Sequence, residues 1–194
     1  MRIAIDIDKT IFDCNSFLYQ FVNTYLISQS LTHKLKYKEI DLFDYDINSS
    51  KFLNKVSKIH NPYFYSVEEE APEVIKKWVK EGHEIFLLSS RPASKSLVIV
   101  LLKCLKKYDI PFNKIIVSCN NKAVYCKENN IDILIDDSPY ICRNAKKIGV
   151  DVILYNSNKN LDNRTIPFKD IICAKSWRDL DELIIKKKTN KIRR

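Results

Sequence analysis

The chain has 194 residues and a formal net charge of +9, and 45% of its residues are hydrophobic. This length suits one main domain with a small insertion, and the apolar content excludes a disordered chain. Six of the positive charges lie in the last nine residues, which leaves 27 basic against 24 acidic residues, or +3, for the rest of the chain. We therefore predict a solvated basic tail over residues 188–194, and nucleic-acid binding through it is the less favoured alternative.

The glycines, the cysteines and the aliphatic runs of the sequence exclude or disfavour several classes of protein. The two glycines, Gly82 and Gly149, cannot form a glycine-rich phosphate loop. The six cysteines are scattered without C-x-x-C spacing, which disfavours a zinc or redox site and favours a reducing cytoplasm. The longest aliphatic run, Leu97–Leu102, is far shorter than the roughly 20 residues that cross a bilayer, so we expect no membrane span.

Short β-branched segments alternate with segments of helical period along most of the chain. The predicted strands are residues 2–5, 84–88, 114–117, 131–135, 152–155 and 170–173, and the predicted helices are residues 72–80, 94–108, 122–129 and 139–148. This order is typical of a Rossmann-like α/β fold, a parallel sheet with helices on both faces. In such a sheet, ligands bind beyond the carboxyl ends of the strands.

Residues 15–71 interrupt the alternation between the first two predicted strands. This stretch is rich in aromatic residues and contains no convincing strand, so we predict a small helical cap inserted after the first strand. Residues 1–14 and 72–187 would then form the core. A capping box over Ser176–Asp179 predicts the start of a last helix, which we expect to end near Lys187.

The first strand leads directly into Asp6-Ile7-Asp8-Lys9-Thr10. Residues two apart on an extended chain point the same way, so Asp6 and Asp8 are expected on one side of the strand end. Adjacent carboxylates repel, and a buried pair stays ionised only beside a cation. The pair therefore predicts a metal site, and Mg²⁺ is favoured because it prefers oxygen ligands and often shares them with a phosphate.

Two further predicted strands deliver polar residues to the same edge of the sheet. One ends in Leu88-Ser89-Ser90-Arg91, and another ends in Ile135-Asp136-Asp137-Ser138. Apolar residues that lead into two acids are costly unless the acids have a function. A cation, Lys122 or less favourably Lys127, could reach this edge from the preceding helix. These residues together could bind a phosphoryl group and its metal.

The order D-x-D-x-T, apolar-S-S-R, Lys and apolar-D-D resembles the haloacid dehalogenase superfamily, over about residues 2–155. Within it, the motifs, the cap position and the closing Ser176-Trp177 step resemble the 5'(3')-deoxyribonucleotidase family. Lys9 departs from this pattern, because small or acidic residues are more usual there.

The resemblance implies a role for each motif residue in an Mg²⁺-dependent phosphatase. Asp6 would be the nucleophile and Asp8 the general acid and base, with its main-chain carbonyl on the metal. Asp136 and Asp137 would complete the metal site, and which one ligates directly stays open. The residues expected to contact the phosphate or the rest of the substrate are Thr10, Ser89, Ser90, Arg91 and Lys122. The structural alternatives are acids and serines that cap the following helices, and a surface lysine at Lys122.

The expected substrate is a small phosphate ester, most favourably a (deoxy)nucleoside monophosphate. Phe43, Tyr45, Phe64 and Tyr65 cluster where the cap returns to the core, so they are the candidates for stacking on a base. The alternatives are a sugar phosphate or the terminal phosphate of a nucleic acid. A non-catalytic nucleic-acid-binding protein on this fold is the alternative of another class.

Overall fold

The computed structural model describes residues 1–13, 66–91, 93, 95–156 and 170–192. The eight strands in this part are β1 (Arg2–Asp6), β2 (Phe12–Asp13), β3 (Ser66–Val67), β4 (Glu84–Leu88), β5 (Lys114–Ile116), β6 (Ile133–Asp136), β7 (Asp151–Tyr155) and β8 (Ile172–Ala174). The helices are α1 (Ala71–Lys80), α2 (Lys95–Lys107), α3 (Lys122–Glu128), α4 (Pro139–Lys147) and α5 (Trp177–Ile192). None of these helices is both long enough and apolar enough to cross a bilayer.

Six strands form one parallel sheet in the order β5-β4-β1-β6-β7-β8. The predicted Rossmann-like α/β class is therefore confirmed. The chain adds strands on one side of β1 and then returns to add β6, β7 and β8 on the other side. The winding direction thus changes between β1 and β6, and the carboxyl ends of strands at such a change are the usual place for a ligand.

Alternate residues of the central strands face two separate apolar clusters. Ile3 and Ile5 of β1 pack in the first cluster, which also contains residues of α1, α2 and α5. Ala4 of β1 and Leu134 of β6 pack in the second cluster, with residues of α3 and α4. Helices cover both faces of the sheet for this reason, since each face carries its own set of apolar side chains.

The helix boundaries follow local signals in the sequence. Pro72 and Pro139 occupy the first turns of α1 and α4, where a missing N–H costs nothing. Gly149 follows α4 with φ of +86°, a conformation that glycine adopts without strain. The predicted capping box is present at the start of α5. Ser176 Oγ accepts from the Asp179 N–H at 3.1 Å, and Asp179 Oδ2 accepts from the Ser176 N–H at 3.1 Å.

Two local predictions are wrong. The stretch 15–71 was expected to contain no strand, but Ser66–Val67 pairs antiparallel with Phe12–Asp13 in a two-stranded ribbon. Strands of two residues are too short to show an alternating pattern. The last helix was expected to end near Lys187, but α5 continues to Ile192. Lys187 Nζ lies 2.5 Å from Asp151, and Lys188 Nζ lies 3.7 Å from Glu81, so residues 187 and 188 are paired with the core. Residues 15–65 of the predicted helical cap lie outside the described residues.

Truncation after Ile185 tests how much the end of α5 contributes. Exposed ion pairs each stabilise a protein by less than about 1 kcal/mol, so we expect the free energy of unfolding to fall by less than about 2 kcal/mol. Urea unfolding followed by circular dichroism would measure this change. As a contrast, truncation after Asp179 also removes the buried Leu180 and Ile184 and should abolish cooperative unfolding. Loss of the fold in the shorter deletion would show that residues 186–194 are integral to the core.

Candidate active site

The period of the strands places two acids on the face of the sheet that α3 covers. Asp6, the last residue of β1, lies on the same face of the sheet as Ala4. Asp136, the last residue of β6, lies on the same face as Leu134. Ala4 and Leu134 both pack in the cluster that includes α3 and α4. Asp6 is 4% exposed and Asp136 is fully buried. The strand period therefore brings two buried carboxylates towards the same helices.

Lys122 joins these two carboxylates. It is the first residue of α3, which Asn121 caps by accepting a hydrogen bond from the Val124 N–H. The Lys122 ammonium donates to Asp6 Oδ1 and, at 2.7 Å, to Asp136 Oδ2. Lys127, the competing candidate, is exposed near the end of the same helix. The structure thus brings Lys122, and not Lys127, into contact with the acids.

The protonation of this group reflects burial in competition with charge. Burial raises the pKa of the Asp6 carboxyl well above its usual range, and the neighbouring Asp136 raises it further, while the Lys122 ammonium lowers it. Burial also raises the pKa of Asp136, against the effect of Lys122 and of the Ser138 N–H that donates to it at 2.9 Å. Burial alone would lower the pKa of Lys122, but the two carboxylates outweigh burial and raise it. Lys122 is therefore a charged ammonium at neutral pH.

Asp137 adds a third carboxylate to the group. Carboxylate oxygens of Asp6, Asp136 and Asp137 all lie within 4.8 Å of one another. Burial, and then the charge of Asp136, raise the pKa of Asp137 to about 7. When all three carboxyls are ionised, the Lys122 ammonium balances only one of their charges, so the ionised group is short of positive charge. Three carboxylates are a donor set that suits Mg²⁺, and these residues therefore fit the predicted metal.

The serines after β4 are fixed by backbone contacts. Ser89 is fully buried and follows Leu88, which pairs with Asp6 across the sheet. Its backbone bonds to Ile116 and Cys119 at 2.9 Å each, and its Oγ accepts from the Arg91 N–H at 3.1 Å. Ser90 is exposed, and its hydroxyl donates to the Cys119 carbonyl at 3.3 Å. Both serines thus stabilise a turn at the edge of the sheet, and Ser89 is the one beside Asp6.

Asp8 and Thr10 lie on a tight turn that follows β1. The Lys9 N–H donates to the Phe12 carbonyl at 2.8 Å, and the Phe12 N–H donates to the Ile7 carbonyl at 3.0 Å. Lys9 itself has φ of +63°, which is unusual for a residue with a side chain. Thr10, which is expected to bind substrate, is fully buried, and its Oγ1 donates a long hydrogen bond of 3.5 Å to Asp6 Oδ2.

Arg91, expected to contact phosphate, forms an ion pair with Asp8. Its Nε donates to Asp8 Oδ2 at 2.8 Å, and its second guanidinium nitrogen donates to Oδ1. This pairing uses both oxygens of the Asp8 carboxylate, and the two residues are 83 positions apart in the chain. No local sequence pattern could have indicated it. The predicted stacking residues Phe43, Tyr45, Phe64 and Tyr65 lie outside the described residues.

No family model and no curated protein sequence matches the chain. Solved structures do resemble it. A predicted phosphatase from Clostridium acetobutylicum superposes with a TM-score of 0.65 at 16% identity, over 95% of this chain and 98% of that one. A haloacid dehalogenase-like hydrolase from Streptococcus pneumoniae gives a TM-score of 0.62 at 14% identity, over 95% and 97% of the two chains. A hydrolase of the same superfamily, subfamily IA, from Geobacter sulfurreducens gives 0.59 at 13% identity, over 94% and 98%.

The chain has the haloacid dehalogenase-like fold. At these identities the likeness extends to the fold, and the function has to be argued from the site itself. Within this haloacid dehalogenase-like sheet, Asp6, Lys122, Asp136 and Asp137 meet where the carboxyl ends of β1 and β6 lie side by side.

The three carboxylates predict a link between pH and stabilisation by metal. Carboxyls with raised pKa bind more protons in the folded than in the unfolded chain between about pH 4 and 7, so the metal-free protein loses stability as the pH rises through that range. Binding of Mg²⁺ requires ionised carboxylates. We therefore expect Mg²⁺ to raise the melting temperature more at pH 7.5 than at pH 5, as measured by calorimetry.

Two variants control this experiment. Asp137→Asn should reduce both the stabilisation by Mg²⁺ and its pH dependence, because it removes one donor carboxylate. Asp151→Asn changes an exposed acid at the opposite edge of the sheet and should leave both unchanged. Equal stabilisation at the two pH values in the unmodified protein would contradict the metal assignment.

Proposed function

We propose that this chain is an Mg²⁺-dependent phosphomonoesterase that acts through an aspartyl-phosphate on Asp6. One observation carries the proposal. Asp6 is a buried carboxylate at the end of the central strand, in contact with the Lys122 ammonium and within 4.8 Å of the oxygens of Asp136 and Asp137. A nucleophile, a fixed cation and a metal donor set are the groups that phosphoryl transfer requires.

Asp6, Asp136 and Asp137 would hold the metal, with the main-chain carbonyl of Asp8. When bound, Mg²⁺ would offset the negative charge of the phosphoryl oxygens and of the carboxylates. The other groups around the phosphate belong to the chain. Lys122 would place a positive charge beside the phosphoryl oxygens as their charge shifts, and the Ser89 hydroxyl would donate a hydrogen bond to one of them.

The reaction would proceed in two displacements. An Asp6 carboxylate oxygen attacks phosphorus, the bond from phosphorus to the ester oxygen breaks, and Asp8 gives its proton to the leaving alkoxide. Asp8, now a carboxylate, takes a proton from a water molecule that attacks the phosphorus of the aspartyl-phosphate. The bond from phosphorus to the Asp6 oxygen breaks, which frees inorganic phosphate and restores the carboxylate.

The ion pair with Arg91 adds a requirement to this sequence. Both oxygens of Asp8 face the guanidinium, so the pair has to open, and Asp8 has to take up a proton from water, before it can give one to a leaving group. Arg91 could move to the incoming phosphate, since a guanidinium pairs equally well with phosphate oxygens. Arrival of the substrate would then release Asp8 for proton transfer.

Buried thiols near the site do not compete as nucleophiles. Burial raises the pKa of Cys126 to about 12 and also raises the pKa of Cys119, so both remain thiols at neutral pH. The five cysteines in the described part of the chain are free, which suits the reducing cytoplasm that we propose as the location.

Asp6→Asn and Asp8→Asn separate the two proposed roles. The Asp6 variant should have no turnover and form no phosphoenzyme, because an amide is a poor nucleophile. The Asp8 variant should lose roughly 10²–10⁴-fold in turnover, the usual effect of losing a general acid and base. With an aryl phosphate, whose leaving group needs no proton, it should still form the phosphoenzyme and then stall.

Rapid-quench labelling would measure the phosphoenzyme in both variants. Binding of beryllium fluoride with Mg²⁺, measured by calorimetry, checks that the Asp8 variant keeps an intact Asp6 site. A phosphoenzyme in the Asp6 variant would refute the assignment of the nucleophile.

We propose a (deoxy)nucleoside monophosphate as the substrate. The support is the resemblance of the motifs to the 5'(3')-deoxyribonucleotidase family and the aromatic residues at the end of the predicted cap. An aromatic face binds a base by stacking, and a cap over the strand ends excludes water from the reaction. Sugar phosphates and nucleic-acid termini are the competing substrates.

Alanine substitutions at Phe43, Tyr45, Phe64 and Tyr65 test the substrate class. Substitution of a residue that stacks on a base should lower kcat/KM for nucleotides by roughly 5- to 150-fold, equivalent to about 1–3 kcal/mol of lost stacking, and leave a small aryl phosphate unaffected. Steady-state kinetics on both substrates measures the difference. Equal losses would indicate packing instead of base recognition, and preference for a sugar phosphate in a substrate panel would overturn the nucleotide proposal.

A further inference from the structure

A tryptophan of the last helix reaches the turn that carries Asp8. Trp177 is the first residue of α5 and is 1% exposed. Its indole N–H donates to the backbone carbonyl of Thr10 at 3.1 Å, across 167 positions in the chain. The hydroxyl of the same Thr10 lies 3.5 Å from Asp6 Oδ2. One hydrogen bond thus connects α5 to Thr10, the residue two positions after Asp8 on the turn.

The turn depends on contacts with distant parts of the chain. Thr10 is fully buried, and a buried carbonyl without a hydrogen-bond partner destabilises the fold. The next residue, Ile11, accepts a hydrogen bond from the Glu68 N–H at 2.9 Å. Lys9, on the other side of Thr10, holds the left-handed conformation that only a well-fixed turn maintains. Trp177 and Glu68 therefore restrain two adjacent carbonyls of this turn.

Packing leaves the Trp177 ring little freedom to move. Its ring centroid lies 5.9 Å from that of Trp78 and 6.1 Å from that of Tyr155. The indole N–H of Trp78 donates to Asp181 at 2.9 Å, and the Tyr155 hydroxyl donates to Glu68 at 3.3 Å. The aromatic cluster of Trp78, Tyr155 and Trp177 is thus anchored on three sides, and the indole N–H of Trp177 has a fixed direction.

We propose that Trp177 is a positioning residue of the active site. By holding the Thr10 carbonyl, it fixes the turn of residues 7–12 and thereby sets where Asp8 lies relative to Asp6. This inference rests on the proposed function, because Asp8 matters only if it transfers protons. A misplacement of about 1 Å in a catalytic group costs roughly 100-fold in rate, so kcat should fall without any rise in KM.

The chain offers a matched control for this hydrogen bond. Trp78→Phe removes the other indole N–H of the same aromatic cluster, and that donor binds Asp181 on α5 instead of the active-site turn. Trp177→Phe removes the N–H that binds Thr10. We expect both variants to lose thermal stability, but only Trp177→Phe to lose roughly 10- to 100-fold in kcat on an aryl phosphate. Equal kcat in the two variants would overturn the proposal.

A second variant removes only the donor and keeps the shape of the ring. The chain has two tryptophans, so in the Trp78→Phe background Trp177 is the only one left. Residue-specific replacement of tryptophan by benzothienylalanine then exchanges the Trp177 N–H for sulfur in a ring of nearly the same size. We expect the same loss in kcat relative to Trp78→Phe, even if Trp177→Phe fails to fold. Unchanged kcat after this exchange would refute the positioning role.

Hydrogen exchange keeps this test separate from that of the proposed function. The backbone amides of residues 7–12 should exchange faster after the benzothienyl replacement than in the Trp78→Phe parent, whether or not any ester is hydrolysed. If the unmodified protein hydrolyses no phosphate ester, the proposed function fails, and exchange still decides whether Trp177 holds the turn. Unchanged exchange in residues 7–12 would overturn the inference.

Discussion

The contacts of the Lys122 ammonium with Asp6 and Asp136 are the interaction on which the site depends. All three side chains are almost completely buried, where an unpaired charge is costly and a paired one recovers little more than its desolvation. Removal of Lys122 would leave two like charges side by side. The group therefore adds little to stability, and the sheet has to hold it in place. The ladders of β1 with β4 and β6 supply that rigidity, because Asp6 and Asp136 are themselves strand residues.

The sequence predicts the sheet well because each strand is an apolar run between polar turns. The predicted bounds of β4 agree with the structure, and those of α3 differ by one residue. The ribbon of Phe12–Asp13 with Ser66–Val67 is too short to leave a pattern. The end of α5 escaped prediction for another reason. Its last residues are mostly lysines and form no apolar stripe, whereas the ion pairs with Asp151 and Glu81 become visible only in the folded chain.

The acids of the candidate site were predictable from the strand ends, and Lys122 was the favoured cation, but the sequence left Lys127 as an alternative and gave no sign of the contacts of Arg91 and Trp177. Lys122 and Lys127 lie on the same short helix, and the choice between them depends on which one enters the sheet face that carries Asp6 and Asp136. To make that choice, one has to know how β1 and β6 are aligned and which face of the sheet Asp6 and Asp136 occupy. The pairing of Arg91 with Asp8 and the hydrogen bond from Trp177 to Thr10 join residues 83 and 167 positions apart. Contacts of this kind arise from topology, and a single sequence does not encode them in any local motif.

Asp6 and Asp8, the two acids of the D-x-D motif, are held in different ways, and their proposed roles require this difference. Asp6 belongs to a central strand and bonds to a buried ammonium, which suits a nucleophile that must meet phosphorus in a fixed geometry. Asp8 lies beyond the strand, on a turn restrained at Thr10 by Trp177 and at Ile11 by Glu68. A residue that gives a proton and later takes one has to exchange partners, and Asp8 faces Arg91 where such an exchange can occur. The restraints act on the backbone of the turn, so the Asp8 side chain can exchange partners while the turn and Asp6 stay fixed. The backbone hydrogen bonds of the sheet end at Asp6, and beyond it the chain is restrained by the Trp177 side chain and the Glu68 backbone N–H.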